Sequence, residues 1–295
     1  MINTSIPQLA RLFFSSFPYQ NGKWTLWRIY KNLFSTAQFK KGTYNTNHGF
    51  KLNLENERYI EKYIYYWGEW EGNETHFIKE FLPKDGLFID IGANIGYFSC
   101  LAASIVGNKG HVFSFEPVPQ SFQLLSKNIH LNNFHNITAY QIAASNKKGS
   151  MLLAKPKNPC ALEMVTTRNA STTKPHWEIP SERVDEIVDR NQSIDMIKID
   201  IEGAEMLALA GLVEHLSKQN APIVLCEVND SFLTDMGSSA EKLMAYMINL
   251  GYFNIYRFNK YKLSVFDGAT TDYRTLQENI IFSKTPLNED NPSRH

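Results

Sequence analysis

The chain of 295 residues has few cysteines, and the three that occur lie far apart, at Cys100, Cys160 and Cys226. Three scattered thiols cannot build a disulfide framework, and their spacing does not match a zinc site. They fit a reducing compartment, so we expect a cytoplasmic location. The sequence also lacks a run of about 18 apolar residues, which argues against a membrane-spanning helix. Because the first ten residues contain no lysine or arginine, we expect no secretory signal.

Acidic residues are absent from residues 1–54, where seven lysines and arginines give a charge of +7. The chain has 30 basic and 30 acidic residues, so the remaining 23 basic and 30 acidic residues give −7. This acidic balance of the main part of the chain argues against a nucleic-acid partner. The basic segment is also aromatic, with Trp27, Tyr30 and Phe34 at helical spacing. Two interpretations stay open: a helix packed against the rest of the protein, or peripheral contact with a membrane surface or anionic ligand.

Strands and helices are predicted to alternate from residue 87 onward. Residues 87–91 form a short apolar run typical of a buried strand, and residues 97–106 have helical spacing. Further strands are predicted at 111–115 and 137–143, with a helix between them that begins near Pro119. This order predicts a parallel sheet with right-handed crossovers.

The alternation resumes near residue 196, after a less regular segment at 146–180. This segment predicts a short hairpin followed by a loop, which is either a lid or binding loop or a variable surface insertion. The later elements are predicted as strands at 196–201 and 223–228, helices at 204–216 and 240–250, and an antiparallel pair at 253–258 and 279–282. The fold class is therefore α/β, a Rossmann-like doubly wound sheet, mostly parallel with an antiparallel closing strand, plus an N-terminal helical extension. The expected domains are a basic aromatic extension at 1–54, a main domain at 55–285 and a flexible tail at 286–295.

The first predicted strand ends in Asp90 and leads into a turn with Gly92, Asn94 and Gly96. Glycines let a backbone approach a ligand, and the helix that follows offers unpaired N–H groups. The turn does not match the G-x-G-x-x-G dinucleotide fingerprint and lacks the lysine of a phosphate-binding loop. Glu116 ends the second strand, twenty residues after Gly96, where an acid can accept hydrogen bonds from both ribose hydroxyls.

These features predict a cofactor that contains a nucleoside but no pyrophosphate. S-adenosyl-L-methionine fits, because it joins a ribose and an adenine to a cationic amino-acid tail. Asp90 is expected to receive the ammonium group of the tail. Ala144, just past the third strand, is a candidate for the adenine side of the crevice.

A second cluster of acids follows the later strands. Asp200 ends the fourth predicted strand, Glu202 follows it, and Glu227 ends the neighbouring strand. Ligands of open α/β sheets bind at this edge, so these three are the candidate catalytic residues. A carboxylate there could take the proton of an acceptor hydroxyl; alternatively, several carboxylates could hold a divalent metal that lowers the hydroxyl pKa. Glu205 is expected to have a structural role at the start of the next helix.

The sequence resembles the FkbM family of class I S-adenosylmethionine-dependent methyltransferases. The resemblance is carried by DIGANIGYF at residues 90–98, FEP at 115–117 and KIDIEGAE at 198–205, with support from 67–71 and 183–185, and it covers about residues 60–230. It implies cofactor binding by a set of residues in the first two motifs and just before them: Asp90, Gly92, Asn94, Gly96, Glu116 and Glu71. It also implies O-methylation of hydroxyls on sugars or natural products.

Three functions are compatible with these patterns. The first is an O-methyltransferase for a hydroxyl on a sugar, glycolipid or natural product. The second is a methyltransferase for RNA ribose or protein, which the acidic main domain disfavours for RNA. The third is a non-catalytic cofactor-binding scaffold, which the two intact motifs around Asp90 and Asp200 argue against.

Overall fold

The computed structural model describes residues 5–16, 39–55, 58–154 and 176–288. The chain forms two compact units, the first containing residues 1–72 and 157–162 and the second residues 73–156 and 163–295. The domain boundaries expected from the sequence stay predictions. Among the described residues, no helix has the length and apolar character needed to cross a bilayer.

The described part of the first unit contains two helices and a β-hairpin. Its elements are α1 (Ser5–Ser16), β1 (Gly42–Asn45), β2 (Lys51–Leu54) and α2 (Tyr59–Trp67). The strands pair antiparallel, and Leu52 and Leu54 alternate inward with Lys51 outward, which is the period of a half-buried strand. The sequence analysis missed this hairpin because it treated residues 1–54 as a basic, aromatic, helical extension. The helix predicted around Trp27 lies outside the described residues.

Aromatic rings form the interior of the first unit. Phe14 of α1 contacts Trp67 at 5.3 Å between ring centroids, and Phe39 stacks on Tyr65 at 4.2 Å. The Arg11 guanidinium lies 5.1 Å from the Tyr65 ring centroid and donates a hydrogen bond to the Asn45 carbonyl. Arg11 therefore points from α1 into the interior of the first unit, and the burial of its guanidinium lowers the pKa of Arg11.

An eight-stranded sheet forms the centre of the second unit. Its strands are β3 (Leu87–Ile91), β4 (His111–Phe115), β5 (Ile137–Tyr140), β9 (Met196–Ile199), β10 (Ile223–Asn229), β11 (Asn254–Asn259), β12 (Lys262–Val265) and β13 (Gln277–Ser283). The order is β12-β11-β13-β10-β9-β3-β4-β5, so β12 and β5 form the edges. Strands β10, β9, β3, β4 and β5 are parallel, whereas β13, β11 and β12 join by antiparallel pairing. The predicted fold class, with its antiparallel closing strands, is confirmed.

Three short strands form a separate sheet, with β6 (Ala143–Ala144) and β7 (Gly149–Ala154) on either side of β8 (His176–Glu182). Strands β7 and β8 pair antiparallel, so they lie on either side of the predicted loop and do not form a short hairpin before it. The loop expected to act as a lid, between these strands, lies outside the described residues. The single strand predicted at 137–143 is wrong, because β5 ends at Tyr140 and β6 pairs with β8 in the other sheet.

The helices of the sheet-forming unit are α3 (Gly72–Phe81), α4 (Tyr97–Val106), α5 (Pro119–Leu131), α6 (Glu205–Ala210), α7 (Val213–Leu216), α8 (Asp230–Asp235) and α9 (Ala240–Asn249). The continuous helix predicted at 204–216 is wrong. It breaks at Gly211, where a side chain would come within 2.0 Å of the Ser145 carbonyl oxygen. The Asp185 carboxylate then accepts hydrogen bonds from the Glu214 and His215 N–H groups and starts α7.

Candidate functional site

A row of polar side chains crosses one face of the main sheet near the carboxyl ends of its parallel strands. Asp90 of β3 is in register with Ser114 of β4 and with Lys198 of β9. Residues paired across adjacent strands project to the same face, so these three side chains lie side by side. Farther along, Glu227 of β10 is in register with Asn279 of β13. The sheet thus brings together residues that are almost 200 positions apart in the sequence.

Asp90 is almost fully buried, with 1 % of its surface exposed. The Ser99 hydroxyl donates to Asp90 Oδ2 at 2.6 Å, and the Ser114 hydroxyl donates to Ser99 Oγ at 2.9 Å. Burial raises the pKa of Asp90, while the Lys198 ammonium acts in the opposite direction. Within the described part of the chain, the buried Asp90 Oδ1 has no hydrogen-bond donor. This oxygen is suited to accept a donor from a ligand.

Glu116 connects the turn after β3 with the turn after β4. Its Oε2 accepts a hydrogen bond from the Asn94 N–H, and its Oε1 accepts one from the Val118 N–H, both at 2.8 Å. Asn94 has a φ of +48°, and its buried side-chain oxygen has no donor among the residues that the structure describes. Two acceptors, Asp90 Oδ1 and Asn94 Oδ1, therefore flank the start of α4.

The glycines of the first turn are needed for packing within the protein. Gly92 has a φ of +87°, and a Cβ there would lie 1.9 Å from the Asp200 carbonyl oxygen. Gly96 has a φ of +86°, and its Cβ would lie 2.5 Å from Leu125 Cδ1. The sequence analysis attributed both glycines to close approach of a ligand, whereas the structure gives them a packing reason. Their contact with a cofactor stays a prediction.

Lys198 and Asp200 form an ion pair at the end of β9. Lys198 Nζ donates to Asp200 Oδ2 at 2.8 Å and lies 4.7 Å from the centroid of the Phe98 ring. The Lys198 side chain is 3 % exposed and that of Asp200 is 28 % exposed, so the pair runs from the interior toward solvent. Sequence reasoning did not select Lys198; its signal was a single charge inside the apolar strand at 196–199.

The turn after Asp200 is held together by Glu205. The Glu205 Oε1 accepts hydrogen bonds from the Ile201 and Gly203 N–H groups at 3.2 and 3.0 Å. Burial raises the pKa of Glu205 to about 7, although both of these hydrogen bonds lower it. This contact agrees with the structural role expected for Glu205. Glu202 lies in the same turn with a φ of +57°, next to Gly203.

Glu227 is partly buried beside these acids. Burial raises its pKa to about 9, with further contributions from the negative charges of Asp200, Glu205 and Glu202. A carboxyl group with this pKa is protonated at neutral pH and donates a hydrogen bond rather than taking up a proton. Glu227 is therefore unsuited to the role of a base at neutral pH, although it stays a candidate for contact with an acceptor.

Glu74 of α3 joins the row at its far end, and sequence reasoning missed it. Asn279 Nδ2 donates to Glu74 Oε1 at 2.8 Å, a contact between residues 205 positions apart. Burial raises the pKa of Glu74. No local pattern distinguishes this acid from other polar residues of an amphipathic helix, so only the tertiary structure could reveal it.

The last two predicted cofactor residues lie elsewhere. Ala144 belongs to β6 and is buried in the core that also contains Phe115. Glu71 lies in the first unit with a φ of +41°. Both stay predictions as cofactor contacts. Within the described ranges, no group of three or more His, Cys, Asp or Glu residues has an arrangement that could hold a metal ion.

The comparisons with known proteins place this site in a named family. The family model described as "Methyltransferase FkbM domain" matches residues 90–253, more than half of the 295-residue chain. Methyltransferase 1 of Beauveria bassiana is 27 % identical over 173 residues, which cover 52 % of this chain and 69 % of that protein. The hexuronic acid methyltransferase AglP of Haloferax volcanii is 26 % identical over 156 residues, covering 52 % of this chain and 61 % of that protein.

A solved structure of methyltransferase FkbM from Methylobacillus flagellatus aligns with a TM-score of 0.48 and 18 % identity, covering 76 % of this chain and 55 % of that one. The family match includes the turn after β3, Glu116, the Lys198–Asp200 pair and Glu227. On the strength of that match, the chain belongs to the FkbM family of methyltransferases.

Proposed function

We propose that this protein is an S-adenosyl-L-methionine-dependent O-methyltransferase that acts on a hydroxyl of a sugar, glycolipid or natural product. One observation carries the cofactor assignment: two buried acceptor oxygens, on Asp90 and Asn94, flank the start of α4 and lack donors among the described residues. A ligand with an ammonium group and hydroxyls supplies such donors. Family membership supports methyl transfer, and the hexuronic acid methyltransferase among the relatives supports a sugar acceptor.

The residues of the site fit the parts of this cofactor. Asp90 would receive the ammonium group of the amino-acid tail, and Glu116 would accept hydrogen bonds from the ribose hydroxyls. A carboxylate oxygen can accept more than one hydrogen bond, so the N–H groups of Asn94 and Val118 do not exclude this role. When bound, the cofactor supplies a methyl group on a sulfonium. Gly92, Gly96 and Ala144 are proposed to line its site.

The acceptor hydroxyl must lose its proton during the transfer, and we assign this step to Asp200. Its carboxylate is partly exposed at the carboxyl end of β9, and the Asp200 backbone packs against Gly92 in the turn that follows Asp90. Glu202 follows in the same turn. Glu227, protonated at neutral pH, can donate a hydrogen bond to the acceptor. The alternative is a divalent metal that lowers the pKa of the hydroxyl. A chelator would abolish activity in that case but would have no effect on a carboxylate base.

The test has two stages. Calorimetry with S-adenosylhomocysteine measures cofactor binding, and an acceptor screen with labelled S-adenosylmethionine, beginning with hexuronic acids, measures transfer. Asp200→Asn is expected to lower turnover roughly 10²–10⁴-fold with little change in cofactor affinity. Asp189→Asn, an exposed acid in the loop before β9, is the control and should keep full turnover.

Each alternative predicts a different result. Loss of activity with a chelator, restored by a divalent ion, would show that a metal, and not a carboxylate base, activates the acceptor hydroxyl. Transfer to RNA or protein but not to small hydroxyl acceptors would change the acceptor class. Cofactor binding without transfer to any acceptor would support a scaffold.

We further infer that the protein works in the cytoplasm and contacts a membrane surface through residues 1–54. Helix α1 turns Arg11 inward, while Leu9 and Leu12 on its other side are 65 % and 63 % exposed. Residues three apart on a helix share a face. Exposed leucines in a segment with seven cations and no acid suit the interface of an anionic membrane.

A further inference from the structure

Lys198 is a buried charge to which the proposed transfer step assigns no role. It lies in β9 between apolar neighbours, and its side chain is 3 % exposed. Burying an ammonium group is costly unless an opposite charge compensates it. The arrangement of its partners therefore indicates what the lysine does.

Two contacts fix the ammonium group of Lys198. It donates to Asp200 Oδ2 at 2.8 Å, and it lies 4.7 Å from the centroid of the Phe98 ring on α4. An ammonium group over an aromatic face gains a cation–π interaction, which is stronger when water is excluded. Phe98 is 5 % exposed, so the ring provides a buried support on which the ammonium rests.

The two members of the ion pair differ in their exposure to solvent. Lys198 is the buried partner, whereas the Asp200 side chain is 28 % exposed. Within the described residues, the hydrogen bond to Lys198 involves one Asp200 oxygen, Oδ2. The carboxylate is therefore held at Oδ2, and its other oxygen can accept a hydroxyl proton.

Acidic groups from several elements surround this lysine. They come from α3, β3, the turn after β9, and β10: Glu74, Asp90, Asp200 and Glu227. Without the ammonium group, the ionised members of this set would repel one another, and Asp200 would be free to turn toward solvent.

We propose that Lys198 is a positioning residue that holds Asp200 in the orientation needed to take the acceptor proton. This inference rests on the proposed function, in which Asp200 is the base. Lys198 touches neither the acceptor nor the cofactor in this proposal; it acts through Asp200, with Phe98 as its support.

A double-mutant cycle tests the proposal, using Lys198→Met, Asp200→Asn and the double variant. Lys198→Met is expected to lower kcat by roughly 10²-fold, as a misplaced catalytic group does, while KM changes little. If the lysine acts through Asp200, the double variant is no slower than Asp200→Asn alone. Losses that multiply in the double variant would overturn the proposal, since a separate structural role gives additive free energies.

A matched control is available in the same unit. Lys284 also lies over an aromatic ring, 5.4 Å from the Tyr252 centroid, and donates to the Lys218 carbonyl. It follows β13, which runs antiparallel to β10, so it lies near the amino end of β10, whereas Asp200 lies at the carboxyl end of the parallel strands. Lys284→Met should keep the kcat of the native protein; if it slows transfer as much as Lys198→Met, the proposed role is wrong.

Two further measurements keep the proposal separate from folding and from the proposed function. If Lys198→Met does not fold, Phe98→Leu removes the supporting ring and keeps the charge, and it should show the same non-additivity with Asp200→Asn. A crystal structure of either variant should show the Asp200 side chain turned toward solvent, and an unchanged Asp200 conformation overturns the proposal. Failure of the native protein to transfer methyl groups rejects the proposed function, while the crystallographic result still decides the positioning of Asp200.

Discussion

Glu116 is the residue that ties the turn after β3 to the turn after β4. Each of its carboxylate oxygens accepts a backbone N–H at 2.8 Å, one from Asn94 and one from Val118. The carboxylate is therefore held in one orientation before any ligand arrives. Such pre-organisation reduces the entropy lost when a ligand binds.

Replacing this carboxylate should weaken cofactor binding. We expect Glu116→Gln to lower the affinity for S-adenosylhomocysteine about 10- to 150-fold, which corresponds to about 1.5–3 kcal/mol for one hydrogen bond to a charged group. Isothermal titration calorimetry measures the change. Glu278→Gln, which breaks an ion pair with Arg257 between β11 and β13, is the control and should bind normally. Unchanged affinity in folded Glu116→Gln would reject the ribose assignment.

The protonated carboxyl of Glu227 should make stability depend on pH. Its pKa is raised to about 9 in the folded protein, from an ordinary value of 4.5. Between these two values the unfolded chain binds fewer protons than the folded protein, so stability falls as pH rises. Glu227→Gln has no such proton, and its melting temperature relative to the native protein should increase between pH 5 and pH 8. Calorimetry that shows a constant difference would contradict the assignment.

Single residues of the site were predictable where they follow strand ends. Asp90, Glu116 and Asp200 were selected because parallel strands bring their carboxyl ends together, and their functional roles stay predictions. Lys198 and Glu74 were missed, since their partners come from other elements, and the Glu74–Asn279 contact joins residues 205 positions apart. The protonation of Glu227 also depends on burial and on three neighbouring acids, none of which a local pattern reveals.

At the scale of elements, the turn after β3 and the end of β9 fit against each other at Gly92. Both its φ of +87° and the nearby Asp200 carbonyl oxygen exclude a side chain. Gly237 offers a matched comparison, because its φ is +83° but no atom lies within 4 Å of its Cβ position.

The two glycines should therefore differ in their response to alanine. Gly237→Ala is expected to lower the free energy of unfolding by about 1–2 kcal/mol, the cost of the left-handed backbone alone. Gly92→Ala adds a clash with β9 and should cost more than about 3 kcal/mol. Urea denaturation, monitored by circular dichroism, measures the free energy of unfolding of both variants. Equal losses would show that backbone conformation, and not the contact with Asp200, requires Gly92.

Element types were predicted better than element ends. Apolar runs identified the buried strands, and helical spacing identified α4 and α9. The predicted helix at 204–216 and the predicted strand at 137–143 were both too long, because each is interrupted by contact with a distant segment. Gly211 packs against the Ser145 carbonyl, and β6 leaves the main sheet to pair with β8. Periodicity within one segment does not contain that information.

At the scale of the whole molecule, the seven cations of residues 1–54 and the exposed leucines of α1 predict binding to lipid. The native protein should co-sediment with phosphatidylcholine vesicles that contain phosphatidylserine, and less with phosphatidylcholine alone. Leu9→Asp with Leu12→Asp should weaken this binding more than tenfold, since burying each leucine contributes about 1.5–3 kcal/mol. Val265→Asp, at a residue 76 % exposed on β12, is the control. If the native protein does not bind vesicles at low salt, membrane contact is rejected, and the interpretation as a helix packed against the rest of the protein stands.

The parallel arrangement of the main strands was predictable because alternating strands and helices favour a parallel sheet. The pairing of β9 with β3, two strands far apart in the sequence, is a finding of the structure. The hairpin of β11 and β12 was not predicted, since the turn between these short strands leaves only a weak sequence signal.

The position of β12 at the edge of the sheet has a consequence for solubility. An edge strand presents unpaired backbone groups to which a second copy of the chain could add its own strand. This strand has only four residues, begins with an exposed lysine at Lys262, and follows another exposed lysine at Lys260. Two copies that joined their β12 strands would place these cationic side chains at one shared interface. Because the strand is short, few backbone hydrogen bonds would form between the copies. The short, charged edge thus opposes the growth of a continuous sheet from one molecule to the next.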